Sequence, residues 1–304
     1  MADAHPCSLI DLGDGRRLRA LLTGPAGAPL VVYDAGAFGI WADGWWVKEA
    51  LRRDHRVLLF DRAGMGGSDP VPGGTEPTPA FHVADLRRLL AALGLAPPFV
   101  LVSHSMAGLR AHAYAHLHPD ELRGVVFVDA LAPRQHGSLA RRVLTRQFGR
   151  LLRVGTFAAR RGLTRPFVRF LPNDFGLSGA ALTDKVATYA SASHYEASLR
   201  EVAALDPEAG YLTGADLTAL PIAVFASTSV NGLSEADAAG SREGAGYGWH
   251  GTFGREDHVS ILTGVYAEAI AARVREIEAV TDGAARPDAP GSGGAGGAGG
   301  AGAR

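Results

Sequence analysis

Between Pro98 and Gly108 the chain reads P-F-V-L-V-S-H-S-M-A-G. Phe99–Val102 is a short apolar, β-branched run, the pattern of a buried strand. From Ala107 onward, Leu109, Ala111, Ala113, Ala115 and Leu117 predict a helix ending near Pro119. Ser105 stands at the junction, with Ser103 two residues before it and Ala107 two after. A strand that turns abruptly into a helix brings its own backbone segments together, so only small side chains fit at those flanks. Such a turn lifts one side chain above the sheet edge. Ser105 is therefore a candidate nucleophile, and the N–H of Met106, at the helix N-terminus, a candidate oxyanion donor. A serine hydroxyl is a weak nucleophile at neutral pH and needs a base. The base in turn needs an acid to fix its tautomer and stabilise its charged form.

A chain of 304 residues accommodates one large α/β domain or two ordinary ones, and at 47% hydrophobic residues it can bury a sizeable core. Thirty Lys and Arg against 31 Asp and Glu exclude a globally basic nucleic-acid binder. The single cysteine, Cys7, excludes an internal disulfide and a cysteine-rich metal site. The start, M-A-D-A-H-P-C-S, lacks the basic residues and apolar run of a signal peptide, and no stretch approaches the length of a membrane span. The expected setting is cytoplasmic.

The elements that must position Ser105 follow from the pattern. Ser8–Gly13 and Arg17–Thr23 read as a hairpin around Asp14-Gly15. Leu30–Tyr33, Arg56–Phe60, Gly124–Ala130 and Pro221–Ala226 read as buried strands, and Trp249–Phe253 as a short last one. Pro79–Leu93 is predicted helical, with Val83, Leu86, Leu89, Leu90 and Leu93 on one side, and is stopped by Gly94 and Pro97-Pro98. Ile261–Ile277 is predicted as the final amphipathic helix. His112 and His116 are spaced i, i+4, but no glutamate lies between them and no third ligand is evident, so surface histidines are expected rather than a metal site.

After Arg56–Phe60 comes D-R-A-G-M-G-G-S-D. A dinucleotide-binding loop is excluded, because the third glycine would fall at Asp69 and Pro70 and Pro72 follow where a helix should start. Residues 61–68 instead resemble the D-R-x-G-x-G-x-S segment of the α/β-hydrolase family, where it is structural. Ser103–Ala107 resembles that family's nucleophile elbow, G-x-S-x-G, here as S-x-S-x-A. The resemblance runs from Leu30 to about Ile277. It implies a mostly parallel eight-stranded sheet flanked by helices, with an inserted helical cap. The core is then 1–131 and 219–282, the cap 132–218, and 283–304 a disordered Gly/Ala tail.

The resemblance also supplies roles. The family carries His-Gly-x after the strand that here is Leu30–Tyr33, where x gives the second oxyanion N–H. Ala35-Gly36 stands in that place, which makes Ala37 the donor. The family's base lies just before the last helix, which selects His258. Most relatives place the acid after the strand Pro221–Ala226, but Ser227–Asn231 holds no carboxylate, and Glu235 and Asp237 come later in a predicted helix. The chain order Ser, acid, His leaves Asp129, at the end of Gly124–Ala130. A serine nucleophile cannot form the alkyl-ester intermediate of dehalogenases and epoxide hydrolases, so that chemistry is excluded.

The implied activity is hydrolysis of a small-molecule carboxylic ester through an acyl-enzyme, with no metal or organic cofactor. Other triad chemistry on the same fold stays open: perhydrolase or haloperoxidase-like, carbon–carbon bond hydrolase, thioesterase, lyase or cyclase. So does a non-catalytic ligand-binding protein on the hydrolase scaffold. The roughly ninety residues between Gly124–Ala130 and Pro221–Ala226 far exceed an ordinary crossover. Within them, Pro133–Asn173 holds ten arginines and no acidic residue, interleaved with Leu139, Val143, Leu144, Phe148, Leu151 and Leu152 at roughly helical spacing. Two readings stand: a solvated basic face, or a surface for an anionic carrier or membrane.

Overall fold

Eight strands form one sheet in the order β1-β2-β4-β3-β5-β6-β7-β8. β1 (Ser8–Asp11) and β2 (Arg17–Thr23) make the antiparallel hairpin at one edge. β2 also pairs antiparallel with β4 (Arg56–Phe60). The remaining neighbours are all parallel: β3 (Leu30–Asp34), β5 (Phe99–His104), β6 (Leu122–Val128), β7 (Ile222–Ser227) and β8 (Gly248–Phe253). This computed structural model describes residues 6–133, 139–168, 176–205, 215–227, 233, 235–253 and 262–283.

The central strands read as continuous apolar runs because both faces of the sheet are covered. Along β5, Phe99 and Leu101 enter one core, and Val100 and Val102 the other. β6 divides Val125 and Phe127 from Val126 and Val128 in the same way. Helix α1 (Trp45–Leu51) covers the second face through Val47 and Leu51. Helices α2 (Pro79–Ala92) and α3 (Ala107–Leu117) cover the first through Val83, Leu86, Leu109 and Tyr114. Thr78 caps α2 by accepting from the Phe81 N–H at 3.2 Å, with Pro79 at the first helical position.

Between β6 and β7 run α4 (Leu139–Arg160), α5 (Arg165–Val168), α6 (Gly179–Ala190) and α7 (Ala192–Ala203). After β7 come α8 (Glu235–Ala245) and α9 (Gly264–Thr281), and α9 joins α1 on the second face through Ile270, Val274 and Ile277. One reading from sequence is corrected. His112 is not a surface residue but is buried, with Nδ1 2.7 Å from the Gly108 carbonyl; His116 is exposed as expected. Leu109, Ala111, Ala113 and Tyr114 are all buried too, so as far as Ala115 α3 is covered on every side rather than along one stripe.

Strand order reverses at β3. The chain passes from β3 to β4 on one side, then crosses back to β5 on the other. The carboxyl ends of β3 and β5 thus flank the topological switch point, where open α/β sheets bind ligands.

Candidate active site

Ser105 lies between β5 and α3 with φ of +55°, a left-handed conformation rare for a residue with a side chain. Its N–H donates to the Val128 carbonyl at 3.1 Å, and its carbonyl accepts from the N–H groups of Leu131 at 2.8 Å and Gly108 at 3.0 Å. Both neighbouring segments therefore over-determine the turn, which is how such strain persists. The crowding falls where small residues stand: Ser103 and Ala107 are fully buried, and a Cβ on Gly108 would come 2.3 Å from the Leu131 carbonyl oxygen. Met106 is buried at the N-terminus of α3.

The segment leaving β3 lies against this turn. A Cβ on Gly36 would meet the Ser105 Cβ at 2.8 Å and the His104 Nδ1 at 3.0 Å. Ala37 follows, half-buried, and then Phe38, which holds φ of +59°. The Phe38 ring is enclosed by the rings of Tyr189, His194 and Tyr195, with centroids 4.3–5.2 Å away.

Asp129 follows β6, fully buried, with φ of +42° and its N–H donating to the Phe225 carbonyl at 2.7 Å. The two bonds from Ser105 to Val128 and Leu131 bracket it in sequence. Ser105 and Asp129 therefore leave adjacent strands at the same end of the sheet. Glu235 and Asp237 lie in α8, the first exposed and the second half-buried. His258 and residues 228–232 lie outside the described residues, as does the Gly/Ala tail from residue 284. Among the described residues no group of three His, Cys, Asp or Glu side chains could hold a metal ion.

Beneath the Ala35–Ala37 segment sits a buried charge cluster that the sequence reading missed. Arg62 donates to the carbonyls of Ala35 (2.8 Å) and Gly36 (2.9 Å), and through Nε and Nη2 to the two carboxylate oxygens of Glu201 (2.8 and 3.0 Å). Arg110 grips the Asp34 carboxylate with Nε (2.7 Å) and Nη2 (2.9 Å), reaches Glu201 with Nη1 (2.9 Å), and also donates to the Ala35 carbonyl. All four side chains are at most 5% exposed. Burial alone would raise the Glu201 carboxyl, but Arg62 and Arg110 outweigh it and hold the group down to about 2. His82 stands 3.3 Å from the same carboxylate; burial, helped by both guanidiniums, pushes it down to about 3, so it is neutral.

The D-R-x-G-x-G-x-S segment owes its residues to the same region. Asp61, fully buried, accepts from the Trp41 N–H (2.8 Å), the Gly67 N–H (3.0 Å) and Arg19 Nε (2.6 Å). Ser68 Oγ donates to the Asp61 carbonyl at 2.6 Å. Gly66 has φ of +51°, and a Cβ there would lie 2.2 Å from the Asp61 carboxylate, so only glycine fits.

Helices α6 and α7 dock on these loops through polar contacts. Lys185 pairs with the Asp43 carboxylate, and Asp184 accepts from Trp41 Nε1 and Arg19 Nη1, both at 2.9 Å. His194 Nδ1 accepts from the Gly66 N–H, while Nε2 donates to the Phe38 carbonyl, each at 3.1 Å. That pattern needs the neutral ring, and burial pushes His194 down to about 4. Arg110 left no signal in the sequence, because His112 and His116 on the same helix read as a solvated face. Glu201, in a segment of mixed charge, gave none either.

A family model described as the alpha/beta hydrolase fold matches residues 29–206. A probable transporter of Hormonema carpetanum is 35% identical over 127 residues, 40% of this chain and 18% of that protein. An sn-1-specific diacylglycerol lipase of Mus musculus is 36% identical over 111 residues, 36% of this chain and 35% of the lipase. The chain thus spans well under half the length of either relative. The solved structure of an epoxide hydrolase without ligand superposes with a TM-score of 0.65 at 16% identity, over 90% of this chain and 97% of that one.

Proposed function

The chain belongs to the α/β-hydrolase fold family, and from that premise we propose that it is a serine hydrolase that cleaves a carboxylic ester through an acyl-enzyme. The observation that carries this reading is Ser105 at φ +55° on the strand-to-helix turn, held by Val128 and Leu131 and backed by Gly36. Strained left-handed residues cluster at active sites, where the surrounding structure holds them in place.

In the proposed reaction Ser105 Oγ attacks the ester carbonyl carbon as His258 takes the hydroxyl proton. The N–H groups of Ala37 and Met106 hold the oxyanion. His258 then gives the proton to the departing alkoxide, which leaves as the alcohol. Water, deprotonated by His258, attacks the acyl-enzyme; the carboxylic acid departs and Ser105 regains its proton. Asp129 fixes the His258 tautomer and balances its charge. The helices between β6 and β7 act as the cap that shapes the pocket. The reaction needs neither metal nor organic cofactor.

The test is labelling by a fluorophosphonate probe, followed by hydrolysis of nitrophenyl esters and thioesters of increasing chain length. Labelling lost in Ser105→Ala, with ester turnover reduced about a million-fold, supports the assignment. Failure of the parent chain to label refutes it and favours a ligand-binding role.

A further inference from the structure

Helix α4 carries two features that hydrolysis does not explain. Its inner face is fixed: Leu152 is buried with Val202 of α7, and a Cβ on Gly155 would strike the Tyr195 ring. At about 100° per residue, Val143, Val154 and Phe157 fall on the side facing away from α7, and Leu144 and Leu151 stand on the flank next to Gly155. Leu151, Val154 and Phe157 are 56–65% exposed. With Leu163, this short stretch holds six of the nine large exposed apolar side chains among the described residues. A solvated helix places polar residues there, and a concentrated apolar face marks an interaction surface.

The flank of that face identifies the partner. Arg146, Arg150 and Arg153 are exposed and line a groove between α4 and α7, over a floor that includes Leu199 and Val202. These three meet no carboxylate among the described residues, whereas Arg160 is paired with Glu196 at 2.7 Å. The Arg161 guanidinium lies 3.5 Å from the Phe157 ring centroid, so charge and apolar surface sit side by side. The helix, 22 residues and about 33 Å long, thus presents an apolar stripe edged by guanidiniums. Nucleic acid would meet the guanidiniums but leave the leucine, valine and phenylalanine stripe uncovered. An anionic bilayer accepts both, with apolar side chains at the headgroup–acyl boundary and arginines at the phosphates.

We propose that the outer face of α4 docks on an anionic membrane surface, with lipid phosphates seated in the Arg146–Arg150–Arg153 groove. This binding is peripheral: among the described residues no helix is long and apolar enough to cross a membrane. It also reaches the site. Helix α7, on the inner side of α4, carries His194 and Tyr195 against Phe38 and Glu201 against Arg62, so the bilayer lies one helix layer from residues 35–38.

The test is co-sedimentation of the full chain with phosphatidylglycerol and with phosphatidylcholine vesicles, at low salt and at 0.5 M salt. Affinity for the anionic vesicles should exceed that for the zwitterionic ones at least ~tenfold and fall with salt. The triple change Arg146→Gln, Arg150→Gln and Arg153→Gln should weaken anionic binding by roughly fivefold per arginine and flatten the salt dependence. The triple change Leu151→Ser, Val154→Ser and Phe157→Ser should remove the salt-resistant remainder. Circular dichroism melts at the parent's midpoint establish that both variants fold. Four results overturn the proposal: no vesicle binding, equal binding to both lipids, folded variants that bind like the parent, or inorganic phosphate displacing the chain at millimolar concentration and binding without vesicles. A dimer in light scattering that the serine variant converts to monomer overturns it too, assigning the face to a second copy of the chain.

Discussion

Glu201→Gln tests whether the buried cluster holds the Ala35–Ala37 segment in place. The substitution keeps the shape of the side chain and one acceptor oxygen but removes the charge. With His82 neutral, Arg62 and Arg110 are balanced by Asp34 and Glu201; the variant leaves one buried positive charge uncompensated. Removing one member of a buried, hydrogen-bonded pair costs about 3–5 kcal/mol. One amide oxygen still accepts from a guanidinium, which places the expected loss near ~3 kcal/mol and the fall in melting temperature at roughly 4–6 °C for a chain of this size. The guanidiniums that lose Glu201 are the ones holding the Ala35 and Gly36 carbonyls, so the loop loosens next to Ala37, the proposed oxyanion donor. A displacement of about 1 Å costs on the order of a hundredfold in turnover, and it should appear in kcat rather than KM. The assay is a urea melt beside ester kinetics, completed by Arg62→Met and the double variant. Coupling between Glu201 and Arg62 above about 1 kcal/mol is expected for groups in one network. A Glu201→Gln protein within about 0.5 kcal/mol of the parent, with unchanged kcat, would refute the reasoning.

Three further outcomes follow from the site. Asp129→Asn should lower ester turnover about ten-thousand-fold while Glu235→Gln and Asp237→Asn stay near the parent; the reverse pattern moves the acid to α8. Gly36→Ala, whose methyl would sit 2.8 Å from the Ser105 Cβ, should cost about 1–3 kcal/mol in a urea melt and most of the activity; a parent-like variant would mean the two segments are not in contact. His194 and His82 are held down to about 4 and 3 from an ordinary 6.5. The folded state therefore binds fewer protons than the unfolded one below that value. Their stabilisation is complete above pH ~6.5 and is lost as pH falls toward those folded values, at up to about 1.4 kcal/mol per pH unit for each ring. Urea melts from pH 7 to 4 should show this slope, and His194→Asn should reduce it; an unchanged slope would mean His194 does not titrate on unfolding.

The legible part of the chain is the part where a local rule acts. The turn at Ser105 was readable because a sharp strand-to-helix junction admits only small flanks, and Gly66 through the D-R-x-G-x-G-x-S pattern, whose structural reason is the Asp61 carboxylate filling the space where a Cβ would go. The buried strands were readable because two covered faces require unbroken apolar runs, and their ends moved by only a residue or two in the structure. What escaped depends on contacts across the fold. His112 sits on a helix buried on every side, which an i, i+4 spacing cannot distinguish from an exposed one. Glu201 lies 139 residues from Arg62 and 91 from Arg110, and nothing near it in sequence announces either partner. The loops carrying Ala37 and Ser105 were legible through glycines and small residues close in the chain. Helix α7 fastens to one of them through a carboxylate that only the tertiary structure assigns, so substitutions on α7 should alter turnover through the Ala35 and Gly36 carbonyls.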